Sequence, residues 1–474
     1  MKTYPLYLNG EWRSSDATLP VVNPANGETF AQMSTVDRAA VAFAIKDAHK
    51  AFAGWRQLTA KGRGELLHKI ANELDRRREE IARIITLESG KPISQSQGEV
   101  AISVDHLHWF AEEARRVYGR IVPQQSEAKR HLVIKSPVGV VGAICPWNFP
   151  LMLAVRKIAA ALAAGCPVIL KPASQTPLTA VAFAECIAKA ELPKGVFQLV
   201  VGEAAEIGAE FLQNPLCRKI TFTGSTEVGR KLIAGAATGV KPLSLELGGN
   251  APVLVFDDCS MENALAGVLL AKFRNSGQSC IAANRIYVQR QMYPVFLRTL
   301  TERVKMMEAG DGIDPRSQIG PLINADAVER AHEHVLDAIN GGGRLMCGGK
   351  PMRRPGYFFE PTVIGNVNRS ALCMFEETFA PIAPVSPFET EAEGIELANN
   401  TDHGLAAYVF TRSMDRTFRL AESLEAGIVA FNDGLPTTSQ CPFGGMKQSG
   451  WGRELGSEGI EAFLETKHVS IEME

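Results

Sequence analysis

The sequence predicts an α/β protein built from two parallel-sheet units. Three observations carry this. Short β-rich apolar runs alternate with Ala-rich helical segments over residues 138–223, and a second alternation runs from about Ala251 to Phe443. The chain's 474 residues are also too many for one ordinary domain. Strands joined by helical crossovers through short loops pair in parallel, and such a sheet is covered on both faces.

Residues 36–118 read as helical instead. Leu66, Leu67, Ile70, Leu74, Ile81 and Ile84 recur at threes and fours, and the charged run 76–80 reads as a solvated helix face. The segment 86–92, TLESGKP, is expected to close this helical layer. Residues 138–145 (VGVVGAIC) are the first strand, followed by the loop 146–150 (PWNFP) and an Ala-rich helix to Ala164. Residues 167–170 are the second strand. Thr176 is then expected as a helix N-cap, with Pro177 at the first helical position. Residues 196–201 form the third strand, Gly202 opens another helix, and 219–223 form the fourth strand. Ligands are expected where loops leave the carboxyl ends of these strands, after Cys145, Leu170, Val201 and Thr223. The second unit has strands at 253–256 and 285–288 and a glycine turn at 341–343. Two further strands are expected at 129–135 (KRHLVIK) and 468–471.

Composition narrows the function. Fifty Lys and Arg against 52 Asp and Glu leave a net charge of −2, too little basic field for a nucleic-acid partner. The most apolar stretch, 151–170, is interrupted by Arg156, Lys157, Gly165 and Pro167, so no membrane span is expected. The first 13 residues hold no apolar core of signal-peptide type, and a cytoplasmic location is expected. The nine cysteines are an odd number without a C-x-x-C pair, which argues against a disulfide framework or a zinc site. His106/His108 and His332/His334 are spaced i, i+2 and diverge on a helix, so no metal is expected.

Three motifs carry chemistry. In 222–229, FTGSTEVG, a strand ends, glycine permits a tight turn and a helix begins with free N–H groups. That suits a pyrophosphate, and it also suits an ordinary βα turn; the pattern is not G-x-G-x-x-G. In 273–280, FRNSGQSC, Cys280 follows a Ser/Gly turn whose backbone amides are expected to lower its thiol pKa and hold an oxyanion. A buried structural cysteine is the other reading. In 245–250, LELGGN, Glu246 stands between apolar neighbours, where its pKa should rise toward that of a general base unless an ion pair holds it.

Co-occurrence decides among these readings. Asn148 in PWNFP, Lys171 in LKPAS, the GSTEVG turn, Glu246 in LELGGN and Cys280 in FRNSGQSC share one order and spacing, continued by EETF at 376–379 and PFGG at 442–445. In this the sequence strongly resembles the NAD(P)-dependent aldehyde dehydrogenases along nearly its whole length. The resemblance implies a Rossmann-type cofactor domain (1–118 and 138–248), a catalytic domain (249–448) and a small β oligomerisation arm (119–137 and 449–474). It further implies Cys280 as nucleophile and Glu246 as the base for the deacylating water. The Asn148 amide and the Cys280 N–H become the oxyanion hole. Cofactor contacts are implied at Pro146, Trp147, Lys171, Ser174, Gly224, Ser225, Val228, Leu247, Glu377 and Phe379, and the assembly as a homodimer or homotetramer.

Within the resemblance, Arg156 and Arg274 occupy positions where succinate-semialdehyde dehydrogenases carry arginines that clasp the substrate carboxylate. An ω-carboxy aldehyde is therefore expected, succinate semialdehyde first, with glutarate semialdehyde or a sulfonate- or phosphonate-bearing aldehyde as alternatives. Thr437 stands where that subfamily often has serine. Ala282 takes the place of a second cysteine that serves a redox switch in some members, and Ala380 the place of a usual glycine. Ser174 replaces the glutamate common in NAD-preferring relatives, so NADP is expected, with NAD also accepted. A cysteine hydrolase or acyltransferase would want a histidine paired with Cys280, and no motif supplies one. A non-catalytic binding protein would need no such trio as Cys280, Glu246 and Asn148.

Overall fold

In the computed structural model, which describes residues 1–473, the two alternating regions become two separate sheets. The first has five central parallel strands in the order Leu243–Glu246, Cys217–Thr223, Val140–Ile144, Val168–Lys171, Phe197–Leu199. Period-two alternation sends their side chains to two different helical layers. Val141, Ala143, Val168 and Leu170 pack with helices Met152–Ala164 and Pro177–Lys189. Val140 and Ile169 pack with helices Arg38–Trp55 and Ala204–Gln213 on the other face. Chain order reverses between Val140–Ile144 and Cys217–Thr223, so the loops leaving these neighbours diverge and open a crevice at their carboxyl ends.

The second sheet runs Arg344–Cys347, Thr362–Gly365, Ile382–Phe388, Ala283–Gln289, Ala251–Val255, Ala406–Phe410, Ile428–Phe431, parallel throughout except at its first edge. A third, antiparallel sheet joins Arg120–Val122, Lys129–Pro137 and Leu464–Glu472, where the two tail strands were expected.

Several local expectations need correction. The periodic run 66–84 is two helices, Ala60–Arg76 and Arg78–Ser89, broken at Arg77 (φ −99°, ψ 16°). Arg77 leaves the solvated face because its guanidinium bonds Glu80 and Glu185 at 2.7 and 2.6 Å. Segment 86–92 does not close the helical layer; the 21-residue helix Ile93–Glu113 follows it and packs on Ala60–Arg76 and Met152–Ala164. Pro177 does open its helix, but the Thr176 hydroxyl makes no cap bond. The buried Glu88 carboxyl does so from another helix, accepting the N–H groups of Leu178 and Thr179 at 2.8 and 2.9 Å. Strands Leu6–Leu8 and Glu11–Arg13 extend one edge of the first sheet. Gly450–Trp451 extends the other, antiparallel to Leu243–Glu246, so the block 449–474 is divided between that sheet and the arm. Its last residue, Glu474, lies outside the described residues. Two- and three-residue edge strands are too short for periodicity to reveal. Among the described residues, no helix is long and apolar enough to cross a membrane.

Candidate active site

Cys280 is delivered by a turn that the sequence N-S-G-Q is suited to build. Helix Met261–Phe273 ends, and Asn275 (φ 51°), Ser276 (φ 56°) and Gly277 (φ 77°) follow in the left-handed region. Three such residues in a row are costly, and side chains hold them there. Asn275 Nδ2 donates to the carbonyls of Asn148 and Gln278 (2.9 and 3.0 Å), Ser276 Oγ to that of Gly320 (2.9 Å), and Gln278 Nε2 to that of Asn275 (3.2 Å). Gly277 is required twice over, because a Cβ there would also meet the Ala380 carbonyl at 2.1 Å.

The PWNFP loop leaves strand Val140–Ile144 toward this turn. Asn148 Nδ2 donates to the Gln278 carbonyl (3.2 Å), and its buried Oδ1 has no partner. The loop is tethered where the next helix starts. There the N–H groups of Leu151 and Met152 donate to Glu99 Oε1 (2.9 and 3.1 Å), and Glu99 is paired with Lys91 in full burial. LELGGN carries the chain past the nucleophile from the other side; a Cβ on Gly249 would lie 2.2 Å from the Cys280 carbonyl. In GSTEVG, Ser225 Oγ caps helix Thr226–Ala237 by accepting Val228 N–H at 3.3 Å.

These elements enclose a cavity of about 250 Å³ whose wall includes Pro146, Trp147, Asn148, Gly224, Ser225, Leu247, Cys280, Glu377 and Phe379. Phe379 (φ 45°) sets its ring edge-on to Trp147, centroids 5.5 Å apart. That volume is below the ~300–1,000 Å³ of a drug-sized site and matches one end of a larger ligand. Lys171, Ser174 and Val228 lie off this wall: Lys171 buried at its strand end, Ser174 half-buried in the next turn, Val228 exposed on its helix. Burial lowers the Lys171 pKa, and Glu203, in the loop after Val201, pulls it back up.

Glu246 ends strand Leu243–Glu246, buried, with Oε2 unpartnered. Its pKa is raised well above the ordinary value by burial first and by the neighbouring Glu454 second, while Lys157, Arg156 and Arg453 oppose the rise. That agrees with the sequence reading. The thiol does not. Burial pushes the Cys280 pKa up to about 12 and the Glu377 and Glu246 carboxyls add to this, while Arg156, Arg274 and the residue's own N–H oppose the rise. Burial, with the two carboxyls, outweighs the amide that was expected to lower it.

The two arginines also lie around this centre, Arg156 buried and Arg274 half-buried. Arg156 stacks on Phe443 (4.4 Å) with Nε and Nη1 unpartnered; Arg274 stacks on Phe149 (4.8 Å). Among the described residues neither forms a salt bridge, while the nearby acids are taken by lysines, Glu99 by Lys91 and Glu454 by Lys157. Arg156 lowers the Arg274 pKa, so the two cations repel. Thr437 is half-buried in the loop before Pro442, with no hydrogen bond that fixes it among the described residues.

The Aldehyde dehydrogenase family profile matches residues 12–469. The chain belongs to the aldehyde dehydrogenase family. It is 46% identical over 467 residues to a glutarate-semialdehyde dehydrogenase of Pseudomonas aeruginosa, covering 98% of this chain and 97% of that one. It is 46% identical over 466 residues to the NADP(+) succinate-semialdehyde dehydrogenase GabD of Escherichia coli, with the same coverage of 98% and 97%. The crystal structure of succinate-semialdehyde dehydrogenase from Burkholderia pseudomallei superposes with a TM-score of 0.98 at 43% identity, covering 99% of this chain and 98% of that one. The chain is thus an oxidoreductase acting on aldehydes with a nicotinamide dinucleotide.

Other aldehyde dehydrogenase features of the site escaped the sequence reading. Arg330, on the amphipathic helix Ala325–Asn340, lines the cavity from the catalytic side. It looks in sequence like any solvated arginine. Glu454 and Lys157, the pair beside Glu246, lie far apart in the chain, and only the fold joins them. Among the described residues, no group of three or more His, Cys, Asp or Glu is placed to hold a metal ion. His108 instead bonds His68 (2.8 Å), and His106 is buried.

Proposed function

We propose that this aldehyde dehydrogenase oxidises an ω-carboxy aldehyde, succinate semialdehyde first, to the acid through a thiohemiacetal and thioester on Cys280. The observation that carries the substrate is the pair of mutually repelling guanidiniums, Arg156 buried and Arg274 half-buried, left without a carboxylate of their own. Both interact electrostatically with the Cys280 thiol, so an anion bridging them holds an aldehyde within reach of Sγ. The names of the relatives support this class, and glutarate semialdehyde or a sulfonate- or phosphonate-bearing aldehyde is the second reading.

Cys280 Sγ forms the bond to the carbonyl carbon, and its proton is lost to solvent through the cavity on whose wall Cys280 lies. The developing oxyanion accepts hydrogen bonds from Asn148 Nδ2 and Cys280 N–H, each worth about 3–4 kcal/mol in such a site. Held against Trp147, Glu377 and Phe379, the cofactor would supply the hydride acceptor that turns the thiohemiacetal into the thioester. Glu246, whose bare Oε2 makes it the available base, then takes a proton from the water that attacks the thioester and passes it to Cys280, which leaves as the thiol.

The cofactor assignment rests on the crevice at the chain reversal. Pro146, Trp147, Gly224, Ser225, Leu247, Glu377 and Phe379 suit the nicotinamide end there, with Val228, Lys171 and Ser174 further along toward the adenosine. Lys171 and a serine at 174 favour NADP, with NAD also used; a hundredfold higher kcat/KM with NAD contradicts this. We assign 1–118 and 138–248 to the cofactor domain and 249–448 to catalysis. The blocks 119–137 and 449–474 form the arm, less the Gly450–Trp451 strand. Strand Leu464–Glu472 is paired along one edge only, which supports a role joining copies into a homodimer or homotetramer. Nine free cysteines support a reducing, cytoplasmic location.

The test is a panel of acidic and neutral aldehydes against Arg156→Met and Arg274→Met. Each substitution is expected to lower kcat/KM for succinate semialdehyde by about 10²-fold, the value of a lost charge-assisted contact. Butanal should change by less than about threefold. Equal losses on both substrates contradict the assignment.

A further inference from the structure

On the cavity wall the Glu377 carboxyl receives one hydrogen bond, from Gly249 N–H to Oε1 at 3.2 Å. Behind it runs a buried polar ladder that takes no part in the chemistry above. Thr378 N–H and Oγ1 both donate to Asn284 Oδ1, at 3.0 and 2.7 Å. Asn284 Nδ2 donates to Asn250 Oδ1 (2.7 Å) and to the carbonyls of Cys373 and Glu376 (3.1 and 3.0 Å). The ladder ends in Lys272, near the close of helix Met261–Phe273, whose Nζ donates to Thr378 Oγ1 at 3.0 Å.

Lys272 is fully buried and has no salt bridge among the described residues. Burial lowers its pKa to about 7, and Cys373 and Glu377 hold it up. An ammonium with three donors and one neutral acceptor is an expensive way to hold a threonine, since a neutral amide would serve. A positive charge at this point has value only toward a negative one. Two titratable groups face it: the Cys373 thiol from helix Leu372–Phe375, and the Glu377 carboxyl, one residue from the bridging threonine. Burial pushes the Cys373 pKa up to about 12, so that thiol stays neutral and Glu377 is the anion. Glu377 in turn is faced by Gly249 N–H, Lys272 and the Cys280 thiol, with Arg330 on the same cavity wall from helix Ala325–Asn340.

We propose that Lys272 is a positioning residue for cofactor binding: its ammonium, behind Thr378, favours the ionised form of the Glu377 carboxyl, the form that accepts hydrogen bonds from the nicotinamide ribose. This rests on Glu377 holding that end of the cofactor, as proposed above. The electrostatics agree in sign. Burial raises the Glu377 pKa to about 8, and Gly249 N–H and Lys272 are the two influences that lower it. Removing the ammonium leaves the Gly249 N–H alone to favour the carboxylate, so the pKa climbs further and the ionised fraction near neutrality falls. Raising the pH restores the carboxylate. A defect caused by loosened packing does not recover in this way.

The test is binary binding of NADP without aldehyde, read by quenching of tryptophan fluorescence, since Trp147 is on the cavity wall. Wild type, Lys272→Met, Lys272→Gln, Glu377→Gln and the Lys272→Met/Glu377→Gln pair are compared at about pH 7 and about pH 9.5. Lys272→Gln keeps a donor for Thr378 and loses only the charge, which covers the case in which Lys272→Met fails to fold. Each lysine variant is expected to weaken binding about tenfold at the lower pH, one unit of protonation, and by less than about threefold at the higher. Glu377→Gln is expected to weaken binding at both, more at the higher pH where the wild-type carboxyl is ionised, and the double variant to bind no more weakly than Glu377→Gln. Lysine variants that bind like wild type, or whose defect is the same at both pH values, overturn the inference alone, provided Glu377→Gln weakens binding. Unchanged binding in Glu377→Gln overturns the reading of Glu377 beneath it.

Discussion

Two carboxyls flank the same sulfur, Glu246 buried and Glu377 half-buried, and their surroundings differ. Glu246, on the floor of the site, has an unpartnered oxygen and a second acid, Glu454, beside it. Glu377, on the cofactor wall, is tied to Gly249 N–H and backed by Lys272. Burial raises both pKa values, yet the residual hydrogen-bonding capacity is opposite. A bare oxygen near a thiol can take a proton; a tethered one holds a ligand in place. Both are glutamates and both pKa values rise, so the partners, together with the deeper burial of Glu246, assign the work.

The comparison breaks most visibly at the atom between the two. Cys280→Ser is expected to reduce aldehyde-dependent cofactor reduction, followed by absorbance, by about 10⁴-fold while binary NADP binding stays unchanged. Activity within tenfold of wild type removes the shared centre from the comparison.

A smaller effect sharpens the floor against the wall. Glu246→Gln is expected to lower steady-state kcat by about 10²–10³-fold, the scale of a lost general base. Because the Glu246 pKa is raised, its basic form appears as pH rises, so the wild-type rate climbs with pH. Glu246→Gln should lose that climb and Glu377→Gln should keep it; pH–rate profiles of both decide the point.

The smallest effect concerns stability. The fold raises the Glu377 pKa from 4.5 to about 8, which favours the protonated form. Its contribution is fully present below the unfolded value and is lost as pH rises from 4.5 through about 8. Glu377→Gln, which cannot ionise, should therefore melt about 1–3 °C above wild type near pH 9. Near pH 4 the two should melt together, and scanning calorimetry at both values checks it.

The sequence made legible what local chemistry dictates. The order of strands and loops around Asn148, Lys171, Ser225, Glu246 and Cys280 follows from βα alternation and turn residues, and the fold has it so. The rise of the Glu246 pKa also followed from its apolar neighbours. What stayed hidden depends on residues brought from elsewhere. Glu88 caps the helix that Thr176 was expected to cap, Glu454 reaches Glu246 across the chain, and Arg330 enters the cavity from a helix with an unremarkable charged face. The high thiol pKa belongs to the same class, since the amides near Cys280 are local, whereas the burial that chiefly raises it and the two carboxyls that add to it come from the fold. Edge strands of two or three residues carry no period to read.

The central claim is that one sulfur carries the acyl group and one acid releases it. Glu246→Gln, mixed with NADP and succinate semialdehyde and acid-quenched within the first turnover, can be weighed as intact protein and mapped by peptide. One succinyl group per chain, on the peptide holding Cys280 and missing in Cys280→Ser, is the expected result. An unmodified chain after a full equivalent of NADPH has formed, or an acyl group on another cysteine such as the exposed Cys441, contradicts it.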